Sequence, residues 1–466
     1  MTDPQVARGC EVSLLIPHPT RIAVLVADDE TSSGPHASPR LPTLLMSSEE
    51  PPLPDILAAV TVVDTARTPP LRLALASPSS PSAEAGSPDD GEGRAVAVVV
   101  EFDSVAEASP GWTWQDMDAE VIGRLEPEAA RGVVTAWAHE RADGWSTLRP
   151  QWSRPGWLAE ASSWMVEQAA ANRRQALDTP RFQQLWGLSV VLVASSPDGN
   201  VFFKCSAEAF QQEALITQSL AARTPEDVPE VMAVDANRGW MLMRDFEAAD
   251  LGDQDQSLWH EGLVTHARIQ QSWLDRTDDL AALGLPIRSL AGLSAQVGAM
   301  TDDHSLWERM PENVRDQWQA AAPALARSCL RLEEIGPGPT LVHGDLHPWN
   351  VAHGPTGTRV FDWTDAAVSH PFIDLATYVF RTRDLSVRRR LVDAYVAAWS
   401  TLGSGESLQE AATLGLVVGA LYQVQTYRAL LPTLMSNGAE DGLAGGDISW
   451  IERSLKIHES GLESLT

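Results

Sequence analysis

The sequence predicts an α+β protein that is built from more than one folded unit. Its 466 residues exceed what one compact core normally holds, and apolar residues make up 44% of them, which is typical of globular chains. Short β-branched runs dominate the N-terminal third, whereas apolar residues at helical spacing dominate after Leu251. We therefore expect an N-terminal α+β unit (1–150), a linking helix (151–180), a strand-rich unit (181–247) and a helical unit (248–466).

The N-terminal unit has the pattern of a small sheet followed by helices. Stretches rich in serine, proline and glycine separate its apolar runs, as expected of loops. Its last part, Trp114–Arg124 and Glu126–Arg141, favours helices. The role of this unit stays open between a cap on the next unit, a dimerisation surface and a second binding domain. The predicted strands are Arg21–Ala27, Leu41–Met46, Ile56–Val63, Leu71–Ala76 and Ala95–Phe102.

The linking segment and the strand-rich unit follow. Pro155 at a helix start, followed by apolar residues at 3–4 spacing from Trp157, predicts a helix that runs to about Ala171. Ser196–Asn200 is a turn sequence between two strands, and Ser206 can cap a helix that begins at Ala207. The predicted strands of this unit are Leu185–Val190, Val191–Ser195, Val201–Cys205, Glu230–Asp235 and Trp240–Arg244.

The charge balance excludes several classes of partner. Acidic residues number 63 and basic residues 34, so the net charge of −29 repels phosphate backbones and anionic lipid. The three cysteines are too far apart for a disulfide framework or a zinc site, which fits a reducing compartment. We find neither a secretory leader pattern nor an apolar run near the roughly 18 residues that span a bilayer. We expect a cytoplasmic protein that binds neither nucleic acid nor membrane.

Lysine is rare in this chain. Only two of the 34 basic residues are lysines, Lys204 and Lys456, and arginine supplies the remaining cations. Biased composition explains the preference for arginine. A lysine that persists against this bias is a candidate for a position that requires a compact ammonium group.

The helical unit contains one hairpin sequence whose polar residues suit a magnesium ion. The segments Asn350–Ala352 and Arg359–Phe361 read as two short strands around a turn that is centred on Thr356. This centre places Asn350 opposite Asp362 at the open end of the hairpin. An amide oxygen beside a carboxylate provides the hard oxygen ligands that Mg²⁺ prefers.

A loop just upstream of the hairpin carries a third carboxylate. Asp345 lies in this loop, where it can accept the proton of a substrate hydroxyl while a metal neutralises phosphate charge. Phosphoryl transfer also needs a cation on the phosphates that are not transferred, and Lys204 at the end of its strand can supply it. Spacing leaves its carboxylate partner open between Glu213 and Glu208.

These residues together resemble a known family. The stretch His343–Asn350 (His-Gly-Asp-Leu-His-Pro-Trp-Asn), with Phe361–Trp363 (Phe-Asp-Trp) and Pro371–Ala376, is similar to the aminoglycoside phosphotransferase and choline kinase family. The resemblance covers residues 180–460. It implies a bilobal protein-kinase-like fold, with a β-rich small lobe, a hinge near Met243–Phe246 and a helical large lobe, preceded here by a separate α+β N-terminal domain.

The resemblance also implies roles for single residues. The family binds ATP and Mg²⁺ between its lobes, and the corresponding positions in this chain are as follows. Asp345 is the catalytic base, Asn350 and Asp362 bind Mg²⁺, Lys204 contacts the ATP phosphates with Glu213 as its partner, Met243 lies beside the adenine, and His343 and Asp374 support the catalytic loop.

The sequence therefore predicts an ATP- and Mg²⁺-dependent phosphotransferase that transfers the γ-phosphoryl group to a hydroxyl of a small molecule. The acceptor stays open between an antibiotic and a metabolite such as a sugar, an amino sugar or an amino alcohol. The alternative is a non-catalytic kinase-like module that binds a nucleotide or a partner. The presence of Lys204, Asp345, Asn350 and Asp362 argues against that alternative. Asp365 stays open between a group that faces the acceptor and a surface carboxylate.

Overall fold

The computed structural model describes residues 10–17, 21–27, 38–46, 70–76, 94–102, 108–143, 150–154, 156–185, 188–436 and 445–463. The strand predicted at Ile56–Val63 lies outside the described residues. The chain divides into two compact units. Unit 1 comprises Met1–Ser195 and Pro432–Gly442, and unit 2 comprises Ser196–Leu431 and Leu443–Thr466.

The described strands of unit 1 form three groups. The largest is a sheet in the order β3-β1-β5-β4, in which β1 is parallel to β5 and the other pairs are antiparallel. Two antiparallel pairs, β2 with β6 and β7 with β8, make up the rest. The four predicted strands that fall on described residues here are confirmed. The strands are Cys10–Leu15 (β1), Ala23–Ala27 (β2), Thr43–Met46 (β3), Pro70–Ala76 (β4), Arg94–Phe102 (β5), Trp112–Asp116 (β6), Arg181–Leu185 (β7) and Ser189–Ala194 (β8).

The helix predicted at Trp114–Arg124 is wrong in its first half. The chain is extended at β6, because its tryptophan and threonine side chains suit a pleated surface and β2 supplies a partner strand. The helix begins only at Ala119, after the side chain of Asp118 accepts a hydrogen bond from the backbone N–H of Val121 at 2.8 Å. Short-range periodicity could not show that β2 would be available.

The described helices of unit 1 lie between β6 and β7 in the chain. They are Ala119–Gly123 (α1), Arg131–Asp143 (α2) and Trp157–Ala171 (α3). The predicted end of α3 at Ala171 is confirmed, whereas the helix begins at Trp157 rather than at Pro155, and its buried residues recur at helical spacing on one face. A small core lies between β2 and α2, and its buried members include Leu15, Val24, Leu125, Val134 and Trp137.

The predicted boundary between two strands, Leu185–Val190 and Val191–Ser195, is wrong. The apolar run is one strand, β8, and its partner β7 lies earlier, at Arg181–Leu185. Two glutamines and an arginine give β7 no apolar alternation. Only its pairing with β8 identifies it as a strand.

Unit 2 begins with a strand-rich part. In it β11 lies between β9 and β10, antiparallel to both, and the two predicted strands Glu230–Asp235 and Trp240–Arg244 are confirmed. Farther along the chain, β12, β14 and β15 form a small antiparallel sheet, and β13 pairs with β16. The strands are Val201–Ser206 (β9), Val231–Asp235 (β10), Trp240–Arg244 (β11), Ala249–Asp250 (β12), Thr340–Val342 (β13), Val351–Gly354 (β14), Gly357–Val360 (β15) and Ala367–Ser369 (β16).

The rest of unit 2 is mainly helical, as the apolar spacing predicts. Its core is one continuous cluster, and the largest fully buried side chains include Trp318, Trp363, Trp399 and Tyr378. The helices are Glu213–Arg223 (α4), Trp259–Ser272 (α5), Thr277–Ala282 (α6), Leu290–Met300 (α7), His304–Arg309 (α8), Glu312–Glu334 (α9), Leu375–Val379 (α10), Leu385–Ala398 (α11), Gly405–Ser436 (α12) and Gly446–Ser460 (α13). The α+β fold class, with a strand-rich part followed by a helical part, is confirmed.

The described helices include none that could cross a bilayer, since none is both long and apolar enough.

Candidate active site

The loop between β13 and β14 carries the residues on which the functional prediction depends. It leaves β13 after Val342 and ends in a 3₁₀ turn at Pro348–Asn350, which leads directly into β14. Gly344 adopts a φ of +84°, a conformation that favours glycine. This sharp turn directs Asp345 away from the core, and we call residues 343–350 the catalytic loop.

Asp374 anchors the start of the catalytic loop. Its carboxylate is buried and accepts the backbone N–H of His343 at 2.9 Å and that of Gly344 at 3.0 Å. It also lies 2.8 Å from Nε2 of His266 and accepts Nε2 of Gln270 at 3.2 Å, both from α5. A buried carboxylate with this many donors is fully satisfied, so the loop is attached firmly to α5.

His343 connects the catalytic loop to the segment after β15. Its Nε2 lies 2.9 Å from the backbone oxygen of Phe361 and donates to it, because a carbonyl oxygen only accepts. Burial lowers the pKa of His343, with the neighbouring His266 adding to the effect. The ring also packs on Trp363 at 4.8 Å between centroids. His343 is therefore a neutral residue that holds the loop.

Asp345 has its side chain 40% exposed, at the open side of the loop. Burial of the carboxylate raises its pKa, while the charge of Arg381 opposes the rise. His347 lies 3.7 Å away, but burial and Arg381 lower its pKa to about 4, so the two do not form an ion pair at neutral pH. Asp345 is thus a carboxylate with increased basicity that a substrate can reach.

Asn350 ends the catalytic loop in an orientation that the loop itself defines. Its Nδ2 donates to the backbone oxygen of Asp345 at 3.0 Å, and its backbone N–H donates to the oxygen of His347 at 2.8 Å. Because the amide N–H group is used inside the loop, Oδ1 is the atom of Asn350 that is available to a cation.

The pairing predicted for the hairpin is wrong by one residue. The turn is tighter than expected, since Gly354 pairs with Gly357, and this register places Asn350 opposite Phe361 rather than Asp362. The backbone N–H of Phe361 donates to the oxygen of Asn350 at 3.0 Å. Asp362 is therefore the first residue beyond the ladder, one position farther along the chain than the sequence pattern suggested.

Asp362 leaves β15 in a left-handed conformation, with a φ of +66°. Aspartate tolerates this region better than most residues, and here it reverses the chain into a 3₁₀ turn at Trp363–Asp365. Burial opposes its charge, yet the ammonium of Lys204 and a hydrogen bond from Thr364 lower the pKa of Asp362 to about 2. Its carboxylate is therefore ionised at neutral pH.

Lys204 lies between two carboxylates. Its Nζ is 2.6 Å from Oε1 of Glu213 and 2.6 Å from Oδ1 of Asp362, and it donates to Oγ1 of Thr364 at 3.3 Å. The side chain is buried, which disfavours its charge, but the two carboxylates outweigh this effect and raise the pKa of Lys204. It is an ammonium group aimed at the end of β15.

Glu213, rather than Glu208, is the partner of Lys204. Glu213 is buried at the start of α4, whereas Glu208 is exposed. The expected capping role of Ser206 is wrong, because its hydroxyl donates to Oε2 of Glu213 at 2.5 Å and α4 starts only at Glu213, after a 3₁₀ turn. Both oxygens of Glu213 are thus occupied, and the pair fixes α4 to β9.

Met243 lies inside β11, opposite Phe202 of β9 and Val231 of β10. The strand ends one residue later. In the segment that follows, the ring of Phe246 packs against the ring of Phe361, just after β15, with 5.6 Å between the ring centroids. The hinge that the sequence predicts near Met243–Phe246 falls at this end of β11.

Asp365 is a half-buried carboxylate that the sequence left open. Its Oδ1 is buried and has no hydrogen-bond partner among the described residues. Burial and the charge of Asp345 raise the pKa of Asp365 to about 7, against the effect of Arg288. The backbone of Asp365 lies so close to Gly344 that a Cβ on that glycine would overlap its oxygen. Asp365 is therefore a neighbour of the catalytic loop.

Several residues of the site carry no signal in the sequence. These residues bond to the predicted ones, and single hydroxyl, imidazole or amide groups are too common in the sequence to be singled out. The nearest hint is that Thr364 follows Asp362 by two residues. The residues without a sequence signal are Ser206, which bonds to Glu213, Thr364, which bonds to Lys204 and Asp362, His266 and Gln270, which bond to Asp374, and Gln423, which bonds to the backbone oxygen of Gly344.

The comparison with known families gives the decisive observation. Residues 202–410 match the model of the phosphotransferase enzyme family. The matched segment begins before Lys204 and includes the catalytic loop, Asp362 and Asp374. The resemblance that the sequence motifs carry is thereby confirmed for this part of the chain. No curated protein is significantly similar in sequence to this chain.

Several solved structures are similar to this chain over about two thirds of its length. A choline/ethanolamine kinase family protein from Mesorhizobium loti is 14% identical and covers 66% of this chain and 97% of its own, with a TM-score of 0.47. A macrolide 2'-phosphotransferase from Brachybacterium faecium is 18% identical, and the match covers 64% of this chain and 97% of that protein, with a TM-score of 0.42. The choline kinase of Streptococcus pneumoniae is 15% identical, and the match covers 65% of this chain and 98% of that protein, with a TM-score of 0.41.

Proposed function

We propose that this phosphotransferase-family chain is an ATP- and Mg²⁺-dependent kinase that phosphorylates a hydroxyl group of a small molecule. The observation that carries the proposal is the meeting of three segments of unit 2. The ammonium group of Lys204, on β9, lies within hydrogen-bond distance of Glu213 at the start of α4 and of Asp362 at the end of β15. Asp345 presents an accessible carboxylate on the neighbouring loop, so the parts needed for phosphoryl transfer are grouped together.

The residues of the site fit a magnesium ion. Asp362 is ionised, its Oδ1 is used by Lys204 and Thr364, and its second oxygen is left for a cation. Asn350 offers Oδ1, because its Nδ2 group donates to the backbone oxygen of Asp345. Two protein oxygens of this kind suit Mg²⁺, which keeps waters and phosphate oxygens in its remaining positions. When bound, the ion supplies neutralisation of the charge on the phosphates.

The residues of the site then have the following roles. Lys204 binds the phosphates that stay behind, and Glu213 holds its ammonium group in place. Adenine lies beside the backbone near Met243. Asp345 orients the acceptor hydroxyl and takes its proton, as the acceptor oxygen bonds to the γ-phosphorus and the bond from that phosphorus to the β-phosphate oxygen breaks. The products are ADP and the phosphorylated acceptor, and Asp345 returns the proton to solvent.

The test is ADP release by the full chain with Mg²⁺-ATP and a panel of hydroxylated compounds. The panel contains aminoglycosides, macrolides, sugars, amino sugars, choline, hydroxy acids and homoserine. We expect Asp345→Asn to lower kcat by about 10²- to 10⁴-fold, because the proton acceptor is removed, while the affinity for Mg²⁺-ATP is kept. Asp316→Asn, an exposed change on α9, is the matched control.

Two outcomes would contradict the proposal. Turnover that Asp345→Asn leaves unchanged would remove the role of Asp345. Absence of Mg²⁺-ATP binding by calorimetry, together with absence of ADP release, would favour a module that binds a partner without catalysis.

A further inference from the structure

Trp349 is an exposed aromatic residue of the catalytic loop, one position before Asn350. Among the phenylalanine, tyrosine and tryptophan side chains whose exposure the structure describes, it is the most exposed, at 40%. Water is a poor environment for a large ring, and a tryptophan that stays accessible beside a reactive carboxylate is suited to contact a ligand. The phosphoryl transfer proposed above gives Trp349 no role.

The ring of Trp349 is held in one orientation. Its Nε1 donates to Oδ1 of Asp253 at 3.1 Å. One face of the indole lies on Gly252, where a Cβ would overlap Cδ2, Cε2 and Nε1 of the ring. Trp259 of α5 meets the indole edge to face, with 6.3 Å between centroids, and its own Nε1 donates to the backbone oxygen of Leu251. The accessible part of Trp349 is therefore a fixed surface.

His347 connects this surface to Asp345. Its Nε2 lies 3.7 Å from Oδ2 of Asp345, and its ring centroid lies 6.1 Å from that of Trp349. The carboxylates of Asp345 and Asp253 are both accessible. A molecule that rests on the indole is thus one imidazole ring away from the carboxylate that receives the acceptor hydroxyl, and a second carboxylate borders the indole at Nε1.

We propose that the acceptor of this kinase is a sugar, whose ring lies against Trp349 while one of its hydroxyls reaches Asp345. This inference rests on the proposed phosphoryl transfer and names its acceptor class. A sugar ring presents C–H groups on its faces and hydroxyls at its rim, so it suits an aromatic surface that carboxylates border. Oδ1 of Asp253 is used by the indole, which leaves Oδ2 for a rim hydroxyl. A trimethylammonium group prefers a cage of several aromatic faces, whereas the described part of this site offers one exposed indole.

The experiment compares acceptors with and without a closed ring. The pairs are glucose with glucitol, glucosamine with glucosaminitol and ribose with ribitol, and choline and homoserine are added as further acyclic compounds, each with Mg²⁺-ATP and the full chain. We expect kcat/KM for at least one closed sugar to exceed that of its open-chain alditol by about tenfold or more, because stacking on the indole binds and orients the ring. Equal or preferred turnover of the acyclic compounds overturns the proposal.

Variants assign the preference to Trp349. Trp349→Leu keeps apolar volume but lacks a ring, and it should raise KM for the sugar by about tenfold while KM for ATP changes far less. Trp349→Phe restores a ring and should recover most of this loss. Gly252→Ala should act as Trp349→Leu does, because its Cβ displaces the indole.

Trp307→Leu is the matched control, since Nε1 of this α8 tryptophan also donates a hydrogen bond, to the backbone oxygen of Met300. It should leave KM for the sugar unchanged. A KM for the sugar that neither Trp349→Leu nor Gly252→Ala raises, or a rise in KM for ATP alone, refutes the role of Trp349.

A binding measurement separates this inference from the proposed function. Titration of the wild type with the sugar, with Mg²⁺-ADP present, should change its tryptophan fluorescence, and Trp349→Phe should bind the sugar by calorimetry without most of that change. Absence of sugar binding, or a fluorescence change that Trp349→Phe keeps in full, refutes the sugar site. Sugar binding that Trp349→Leu weakens, without ADP release, retains the site and rejects the kinase reaction. Turnover of acyclic acceptors alone retains the kinase and rejects the sugar site.

Discussion

At the scale of single residues, the site depends on how buried charges are paired. Lys204 is kept charged by Glu213 and Asp362, and Ser206 and Thr364 complete the hydrogen bonds of those carboxylates. A buried ammonium group without these partners would lose its charge. The scarcity of lysine therefore has a physical counterpart here, since a compact ammonium group fits between two carboxylates at 2.6 Å each.

Asp365 gives the first prediction, which concerns stability and pH. Its pKa is raised to about 7 by burial and Asp345, so the folded state binds this proton more tightly than the unfolded state. The stabilising contribution is present at low pH and is lost as pH rises through about 7. Asp365→Asn, which cannot ionise, should therefore raise Tm above that of the wild type at pH 8 and change it little at pH 4.5.

Thermal melts of both proteins at the two pH values are the measurement. Asp316→Asn, an exposed change on α9, is the control and should show no such dependence. The same Tm difference at pH 4.5 and pH 8 would show that the folded protein does not hold Asp365 protonated.

At the scale of elements, the catalytic loop is rigid because it is attached at several points. Asp374 binds its first two backbone N–H groups, His343 binds the oxygen of Phe361, and Asn350 closes the loop on Asp345. Gln423 of α12 adds a bond to the oxygen of Gly344. The elements that supply these bonds are far apart in sequence, so the loop acquires its shape only when unit 2 is folded.

Gly344 provides the prediction for this element. A side chain there meets a φ of +84° and overlaps the backbone oxygen of Asp365, which cannot move without disturbing the turn after Asp362. We expect Gly344→Ala to lower the free energy of unfolding by about 2 kcal/mol or more and to reduce kcat by displacing Asp345. Urea denaturation and ADP release measure the two effects.

Gly298 in α7 is the matched control, because a Cβ there meets open space. Gly298→Ala should leave kcat unchanged and raise stability by up to about 1 kcal/mol. A Gly344→Ala protein that is as stable and as active as the wild type would contradict the close packing of the loop against Asp365.

At the scale of the whole molecule, the net charge of −29 opposes the approach of ATP. The local distribution differs from the average, since the buried ammonium group of Lys204 lies at the end of β15. Asp362 adds a negative charge at the position where phosphates are expected, so nucleotide binding should need a divalent cation.

The corresponding prediction is that Mg²⁺-ATP raises Tm of the full chain and that ATP with a chelator raises it much less. Saturation at about 100 times Kd corresponds to roughly 2.7 kcal/mol of stabilisation. Asp362→Asn should lose most of the Mg²⁺-dependent part, because it removes the charged ligand. Equal shifts in the wild type and the variant, with and without Mg²⁺, would argue against Asp362 as the magnesium ligand.

Much of the fold was predictable from local patterns. The strands of β10 and β11 and the helix α3 follow from apolar periodicity and turn residues that lie within a few positions of one another. The errors concern strands that only their pairing partners identify. β6 is extended because β2 pairs with it, and β7 is a strand because β8 lies beside it, although the residues of β7 show no apolar alternation of their own.

The sequence by itself determined the chemistry of this protein. The motif around Asp345, Asn350 and Asp362 and the isolated Lys204 point to phosphoryl transfer, because those residue types at that spacing are needed for it. Only the tertiary structure decided that Glu213 and not Glu208 holds Lys204, that Asn350 faces Phe361, and that Asp365 lies against Gly344 of the catalytic loop. Burial, register and the distance between charges are set by how the folded chain packs, and the residue pattern alone does not contain them.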